Sequence, residues 1–297
     1  MKQPTITGVN PGGNSKLKKV FAGFLLSVIM FLLAGCGWQT NLKEATAATD
    51  TIRADTCAVL STPTQDGFHM PAEWEKQEQI WMAWPYRTDT WRDGAKPAQK
   101  AYAEVAKAIA AFEPVTVCAP KECYESAKEM LRGEKNIRVV EMSSDDAWMR
   151  DMGPTFLVGN DGSVRAVDWD FNAWGGLYDG LYFPWDQDAL VARKVCDLEH
   201  ITYYRTEGFV LEGGSISVDG EGTVMTTESC LLSKGRNPNM TKQQIEEMLL
   251  CYLGAKKVIW LPEGIDPKET NGHVDEVACF TAPGEVAMIW TDDMKSP

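Results

Sequence analysis

The sequence predicts an α/β fold made of repeated units around a central axis. Short apolar strands alternate with amphipathic helices from residue 79 onwards. In addition, Asp151, Glu212 and His273 are spaced by 61 residues each, and each lies close to a glycine beside a short apolar segment. Equal spacing indicates one supersecondary unit used repeatedly. We therefore expect each copy to carry one polar side chain to a common centre.

The first predicted strand covers Gln79–Trp84 and ends before Pro85. Pro97 then opens a helix, because proline is tolerated in a first turn, and Pro114 ends it. The apolar side chains of this helix share one face. They are Tyr102, Val105, Ala106, Ile109 and Phe112. The predicted elements that lead to Asp151 are a strand at 115–118, a helix at 121–132 and a strand at 137–140.

Two further passes follow, each of two strands, a helix and a strand. The second pass has strands at 156–158 and 164–168, a helix at 189–198 and a strand at 201–204. The third pass has strands at 215–218 and 223–226, a helix from Thr241 and a strand at 257–261. After His273 only two strands are predicted, at 277–281 and 286–290. The expected architecture is an α/β propeller of ββαβ-type blades that is incomplete, with its last part missing.

The composition is that of a globular protein with an acidic balance. Hydrophobic residues make up 44% of the chain, charged residues 24%, and the formal net charge is −13. The segment before Cys36 contains four lysines and no acidic residue, which leaves 25 basic and 42 acidic residues after it. This balance argues against nucleic acid as a partner, because phosphate binding needs a basic surface. It suits a small cationic ligand.

Residues 1–36 have the pattern of an export signal. Three lysines precede the apolar run Val20–Ala34, whose 15 residues fit a signal peptide and are few for a membrane span. The run leads into Leu33-Ala34-Gly35-Cys36, which resembles the lipobox of bacterial lipoproteins. The resemblance implies lipidation of Cys36 and an exported protein anchored to a membrane of the cell envelope.

Residues 37–67 are rich in Thr, Ala, Asp and Ser, with few large apolar side chains. We therefore expect a flexible tether there. The folded domain is expected to cover residues 68–297. Its oligomeric state stays open, and a homo-oligomer is one of the options.

Asp151, Glu212, His273 and Asp275 are expected to share one pocket. His273 and Asp275 are two residues apart, and on a strand such residues face the same side. Three close carboxylates repel one another unless a cation lies between them. A hard metal ion is one candidate, although no spacing such as H-x-x-x-H supports a metal site. An organic cation is the other candidate, and carboxylates bind a guanidinium through paired hydrogen bonds.

An aromatic wall and a proton carrier would complete a guanidinium site. Trp148 lies three residues before Asp151, so its ring could stack on the guanidinium plane. His273 could carry protons to a departing nitrogen. Attack on the guanidinium carbon also needs a nucleophile, and a thiolate is the strongest available in proteins.

Seven stretches of the sequence occur together in a specific combination. They are Met70–Trp74, Trp81–Pro85, Trp148–Pro154, Asp170–Gly176, Leu211–Ile216, Thr226–Leu232 and Gly272–Asp275. With them, the chain from about His69 resembles the agmatine deiminases, which belong with bacterial peptidylarginine deiminases to the guanidino-group-modifying (pentein) superfamily. The resemblance implies a five-bladed α/β propeller without metal or cofactor, and hydrolysis of agmatine to N-carbamoylputrescine and ammonia.

The resemblance also implies a role for each candidate residue. Asp151 and Asp275 correspond to the carboxylates that bind the guanidinium nitrogens. His273 corresponds to the general acid that protonates the leaving ammonia and then activates water. Glu212 corresponds to the carboxylate that orients and charges His273. Trp148 corresponds to an aromatic wall of the substrate pocket.

The nucleophilic cysteine of that family lies near its C-terminus, in a Gly-rich segment that ends in a His-Cys pair. No such segment occurs in this sequence, so we expect the nucleophile to be absent and the chain as given to be truncated and nearly inactive. The other cysteines are predicted not to replace it. They are Cys57, Cys118, Cys123, Cys196, Cys230, Cys251 and Cys279.

Two other functions fit the same residues. One is a peptidylarginine deiminase that acts on exported proteins, which the lipoprotein-type signal favours because agmatine is usually an intracellular substrate. The other is a non-catalytic lipoprotein that binds guanidinium compounds or polyamines, which the missing cysteine favours. Citrulline formed in peptides, or ligand binding without ammonia release, would distinguish them from agmatine hydrolysis.

Overall fold

Strands and helices alternate along the chain, as predicted. The computed structural model describes residues 58–59 and 61–293. The strands are β1 (Ala58–Val59), β2 (Phe68–His69), β3 (Ile80–Ala83), β4 (Val115–Ala119), β5 (Ile137–Glu141), β6 (Thr155–Gly159), β7 (Val164–Asp170), β8 (Tyr203–Val210), β9 (Ser217–Val218), β10 (Thr223–Thr227), β11 (Lys257–Leu261), β12 (Ala278–Ala282) and β13 (Glu285–Met288). The α-helices are α1 (Lys96–Ala110), α2 (Lys121–Met130), α3 (Met149–Met152), α4 (Gly176–Asp179), α5 (Val191–Glu199), α6 (Glu228–Leu231) and α7 (Lys242–Leu253).

Local sequence explains where the longer helices begin and end. Helix α1 begins next to Pro97, whose fixed φ suits a first turn. Helix α7 begins with a capping box, in which the Thr241 side chain accepts a hydrogen bond from the Gln244 N–H and the Gln244 side chain accepts one from the Thr241 N–H. It ends at Gly254, which adopts the left-handed conformation that glycine takes without strain.

The ββαβ unit that the spacing predicted is present. In one copy, β6 and β7 are antiparallel, and α5 connects β7 to the parallel strand β8. In the next copy, β9 and β10 are antiparallel, and α7 connects β10 to the parallel strand β11. Strands β12 and β13 then form another antiparallel pair. The N-terminal sheet differs, because β3, β4 and β5 are all parallel and α1 and α2 connect them.

The strands form separate small sheets, as predicted for blades around an axis. The sheet orders are β1-β8-β7-β6-β2, β3-β4-β5, β11-β10-β9 and β12-β13. Each polar residue of the 61-residue pattern precedes the antiparallel pair of a unit. Asp151 lies before β6, Glu212 before β9 and His273 before β12. The spacing in the sequence therefore reflects one position in a repeated topology.

The apolar core is divided among these sheets. One cluster joins the sheet that contains β7 and β8 to the sheet that contains β10 and to α7, where Ile245 and Leu249 are fully buried. Another cluster lies between the parallel sheet β3-β4-β5 and its helices α1 and α2, and every residue of β4 is buried. Apart from Thr116, the residues of β4 are apolar, as expected for a strand that is buried on both faces.

The folded part begins earlier than predicted. Strand β1 pairs with β8. The Thr64 N–H donates to the Cys251 carbonyl at 3.1 Å, and Asp66 accepts from Arg165 at 2.6 Å and from Tyr204 at 2.9 Å. The predicted tether over residues 37–67 is therefore wrong for 58–59 and 61–67. Polar contacts hold this segment in place, and a composition poor in large apolar residues does not reveal them.

The lipid-anchor prediction falls on residues that the structure does not describe. Cys36, the rest of the predicted signal and residues 37–57 of the predicted tether lie outside the described residues. Within 58–59 and 61–293, none of the helices has the length and apolar character to span a bilayer.

Candidate active site

His273 and Asp275 lie on a turn. The prediction that a strand carries them is wrong, because His273 directly precedes a single 3₁₀ turn over Val274–Glu276. This turn still brings the two side chains together, with 3.9 Å between His273 Nδ1 and Asp275 Oδ1. Gly272 before it has φ +84° and a backbone packed closely against Gly264, so this position requires glycine.

Glu212 lies against the other ring nitrogen of His273. Its carboxylate is fully buried, and Oε2 is 3.4 Å from His273 Nε2. The His273 side chain is itself only 3% exposed. A buried carboxylate at this position can hold the ring in one orientation and stabilise its charged form.

Gly214 is the point at which the predicted residues meet. Its backbone N–H donates to Asp151 Oδ1 at 2.8 Å. A Cβ atom at this position would overlap His273 Nδ1 and would lie 2.9 Å from both Asp151 Oδ1 and Asp275 Oδ2. The absence of a side chain at Gly214 therefore allows two carboxylates and an imidazole to converge on one spot.

The pKa values of the four ionisable groups in the cluster are shifted in different directions. Burial tends to lower the pKa of His273, but contacts with Cys230, Glu212 and Asp151 together raise it well above its ordinary value. Burial tends to raise the pKa of Glu212, but the cations nearby hold it below its ordinary value. Desolvation raises the pKa of Asp151 to about 6, and it also raises the pKa of Asp275. The His273 imidazole is therefore protonated and can act as an acid. An additional cation nearby would stabilise the charged form of Asp151.

Trp148 lies at the open edge of the cluster, where it is 36% exposed. Its ring stacks on that of Trp91, with 5.5 Å between the ring centroids. Both indole N–H groups donate to the buried carboxylate of Asp146, at 2.7 Å from Trp91 and 2.9 Å from Trp148. A cavity of about 290 Å³ is lined by Trp148 and Asp151 together. Asp146 and Trp91 were not among the site residues predicted from the sequence.

Two arginines that were not predicted as site residues contact the predicted carboxylates. Arg150 Nε lies 3.3 Å from Asp275 Oδ2, and its Nη2 lies 2.6 Å from Glu73. Arg236 Nε lies 2.7 Å from Glu212 Oε1. Arg150 belongs to the Trp148–Pro154 stretch and Arg236 follows the Thr226–Leu232 stretch. Their positions within or close to those stretches were the sequence feature that could have indicated a place in the site.

Cys230 lies beside His273 in the structure, although the two residues are far apart in the sequence. Its thiol is fully buried, and one ligand atom each from Glu212, Cys230 and His273 lie within 4.8 Å of one another. Burial raises the pKa of Cys230, which opposes formation of a thiolate. Glu212 Oε1 is also paired with Arg236, and this cation opposes a metal ion at the same carboxylate. The prediction that Cys230 is not the nucleophile stays a prediction.

The arrangement can bind a flat cation and move a proton. Carboxylates and an indole ring face the open side, and an acidic imidazole lies behind them against Glu212. The repeated ββαβ units and the geometry of this site are those of the guanidino-group-modifying (pentein) superfamily.

Comparisons with known proteins agree with this class. Residues 69–297 match the family described as Porphyromonas-type peptidyl-arginine deiminase. The chain is similar to an agmatine deiminase of Pseudomonas aeruginosa, with 60% identity over 237 residues, which are 80% of this chain and 64% of that protein. It is also 64% identical to a Streptococcus mutans protein provisionally named an agmatine deiminase, over 80% of this chain and 65% of that protein.

Solved structures show the same relationship. An agmatine deiminase structure from Enterococcus faecalis aligns with a TM-score of 0.79 and 59% identity, over 81% of this chain and 66% of that one. A substrate-bound agmatine deiminase of Campylobacter jejuni aligns with a TM-score of 0.69 and 30% identity, over 77% of this chain and 66% of that one. The chain belongs to the Porphyromonas-type peptidyl-arginine deiminase family. It spans 64% to 65% of the length of the curated relatives named above.

Proposed function

We propose that this chain binds agmatine and carries the acid–base part of its hydrolysis to N-carbamoylputrescine and ammonia. The observation that supports this most directly is the convergence of Asp151, His273 and Asp275 on the space next to Gly214. The names of the similar proteins give the substrate class, because agmatine deiminases from several bacteria match most of this chain.

In the proposed complex, Asp151 and Asp275 bind the guanidinium through charge-assisted hydrogen bonds. Trp148 covers one face of the cation. A thiolate adds to the guanidinium carbon, and His273 gives its proton to the nitrogen that leaves as ammonia, which forms a thiouronium. The neutral His273 then takes a proton from water as the water attacks the same carbon. Release of the thiolate, with loss of the remaining hydroxyl proton to solvent, completes the carbamoyl product.

The thiolate in this scheme is not assigned to any cysteine of residues 1–297. Cys230 is near His273, but its thiol is buried and its pKa is raised by that burial. Loss of a nucleophile typically lowers turnover on the order of a million-fold. Residues 1–297 should therefore bind agmatine while releasing almost no ammonia.

Calorimetry and an ammonia assay on the same purified chain test this proposal. We expect saturable binding of agmatine, no binding by Asp151→Asn, and ammonia release at the level of the buffer control. A folded chain that shows a cooperative melt but no agmatine binding would contradict the proposed site. Saturable ammonia release would contradict the absence of a nucleophile, and its loss in Cys230→Ser would then identify Cys230 as that group.

Peptidyl-arginine is the second candidate substrate. The description of the matching family and the lipoprotein-type signal at Cys36 favour it. A short peptide with an internal arginine, titrated beside agmatine, separates the two substrates because both present the same guanidinium. Tighter binding of the peptide would favour a protein substrate over agmatine.

We also propose that the chain is exported and anchored through lipid on Cys36. The support is the run of 15 apolar residues that ends near Leu33-Ala34-Gly35-Cys36. Radiolabelled palmitate should label the wild-type chain in a bacterial host and should not label Cys36→Ser. Equal labelling of both chains would contradict the assignment.

A further inference from the structure

Arg236 is a buried cation that the proposed reaction does not use directly. Its side chain is fully buried and lies against the equally buried carboxylate of Glu212, with 2.7 Å between Arg236 Nε and Glu212 Oε1. The two oxygens of Glu212 therefore face different cations, because Oε2 faces His273. A buried carboxylate of this kind stays ionised only where cations compensate the loss of water.

The other N–H groups of Arg236 donate hydrogen bonds to residues that surround the site. Nη1 donates to the Trp174 carbonyl and, at 2.5 Å, to Asn271 Oδ1, and Nη2 donates to the Thr270 carbonyl at 2.9 Å. Thr270 and Asn271 belong to the loop that leads into His273. Trp174 packs edge-to-face on Trp148, with 5.8 Å between the ring centroids. One guanidinium thus connects the acid–base carboxylate, the histidine loop and the aromatic wall.

The loop that carries Arg236 is fixed to the segment that carries Glu212. The side chain of Asn237 accepts a hydrogen bond from the Val210 N–H and donates one to the Val210 carbonyl, both at 3.0 Å. Val210 is the last residue of β8 and lies two residues before Glu212. This pairing sets the position of Arg236 relative to the carboxylate before any ligand binds.

We propose that Arg236 is a positioning residue, which keeps Glu212 anionic and directed at His273 and fastens the histidine loop. The role of this ion pair in acid–base chemistry rests on the proposed function. A lysine does not replace Arg236, because its single ammonium lacks the planar set of donors that reaches Glu212, Trp174 and the histidine loop at once.

The test follows the ionisation of Glu212 by NMR in the full chain, labelled with ¹³C at the glutamate carboxyl carbons. The Glu212 signal is assigned by its loss in Glu212→Gln. In Arg236→Gln we expect its titration midpoint to rise by about one pH unit or more, because the buried anion has lost a cation. In Arg236→Lys we expect a smaller rise. A Glu212 midpoint that is unchanged in a folded Arg236 variant would overturn the proposal.

Arg193→Gln is the matched control. Arg193 also pairs with a fully buried carboxylate, that of Asp168 at 3.1 Å, but outside the site. Its substitution should lower the melting temperature and leave the Glu212 midpoint unchanged. If Arg193→Gln moves that midpoint as far as Arg236→Gln does, the effect is a general loss of packing, and the proposal fails. Because this measurement uses no agmatine, it stays separate from the test of the substrate.

Discussion

The two halves of the site differ in how their charges are balanced. In the buried half, Glu212 lies between Arg236 and His273, and the exposure of these three side chains is 3% or less. In the open half, Asp275 is 33% exposed and Trp148 is 36% exposed. Asp151 there accepts a backbone N–H, and its pKa is raised to about 6. The buried half is preorganised by the Arg236–Glu212–His273 ion pairs. In the open half, Arg150 pairs with Asp275, and the raised pKa of Asp151 means that a bound cation would stabilise its charged form.

The test with the largest expected effect on binding fills the space beside Gly214, which both halves of the site border. In Gly214→Ala, the new methyl group would overlap His273 Nδ1 and crowd Asp151 and Asp275. We expect agmatine binding to fall at least about 100-fold, or about 2.7 kcal/mol, in calorimetry. Gly284→Ala is the control for a general loss of stability, because φ is +74° at Gly284 and no atom lies within 4 Å of the added Cβ, so this change strains the backbone without crowding a neighbour. Similar loss in both variants would mean that a general loss of stability, and not crowding at Gly214, is responsible.

The buried half should depend on its ion pair for stability. In Glu212→Gln, Arg236 remains buried without its carboxylate, and we expect the free energy of unfolding to fall by about 3–5 kcal/mol. Denaturant unfolding measures this change. In Glu228→Gln, which removes an exposed partner of Lys242 at 2.5 Å, the loss should be about 0–1 kcal/mol. Equal losses would show that burial does not distinguish the two pairs.

The open half should depend on pH. Because the pKa of Asp151 is raised to about 6, its carboxyl is largely neutral below that pH and anionic above it. A guanidinium stays charged throughout this range. Agmatine affinity should therefore weaken about tenfold for each pH unit below 6 and level off above it, since binding is linked to loss of one proton. Calorimetry between pH 4.5 and about 8 measures this. Residual binding by Asp151→Asn with the same slope would contradict the assignment.

The smallest effect is expected at the aromatic wall. Trp148→Ala removes the exposed ring near Asp151, and we expect agmatine affinity to fall by about 0.5–2 kcal/mol. Trp290→Ala, at a tryptophan that is 81% exposed, should leave the affinity unchanged. If Trp148→Ala binds as tightly as the wild-type chain, the ring does not contact the cation.

The repeated topology was predictable because it produces a regular pattern of residues along the sequence. Apolar runs, proline positions and the 61-residue spacing of Asp151, Glu212 and His273 are all local or periodic features. The structure confirms two ββαβ units and the antiparallel pair that follows them. The prediction of a strand at His273 and Asp275 was wrong for a physical reason. A single 3₁₀ turn is too short to produce a repeating pattern of residues in the sequence.

The residues that surround the site were not predictable in the same way. Arg236, Asp146 and Cys230 act through partners that are 24, 55 and 43 residues away in the chain. Nothing in the neighbouring sequence marks Arg236 as buried, and arginine is mostly exposed in proteins. The contact of Arg150 with Asp275 likewise depends on how the first unit packs against the last described one.

The sequence by itself determined the α/β repeat, the position of each polar residue within it, and the acidic balance of the chain. These properties follow from periodicity and from the kind of residue at a fixed position, which are local. Only the tertiary structure decided that Gly214 is the meeting point and that Glu212 is held between Arg236 and His273. Charges that lie far apart in the chain influence one another only through distance and burial, and folding sets both.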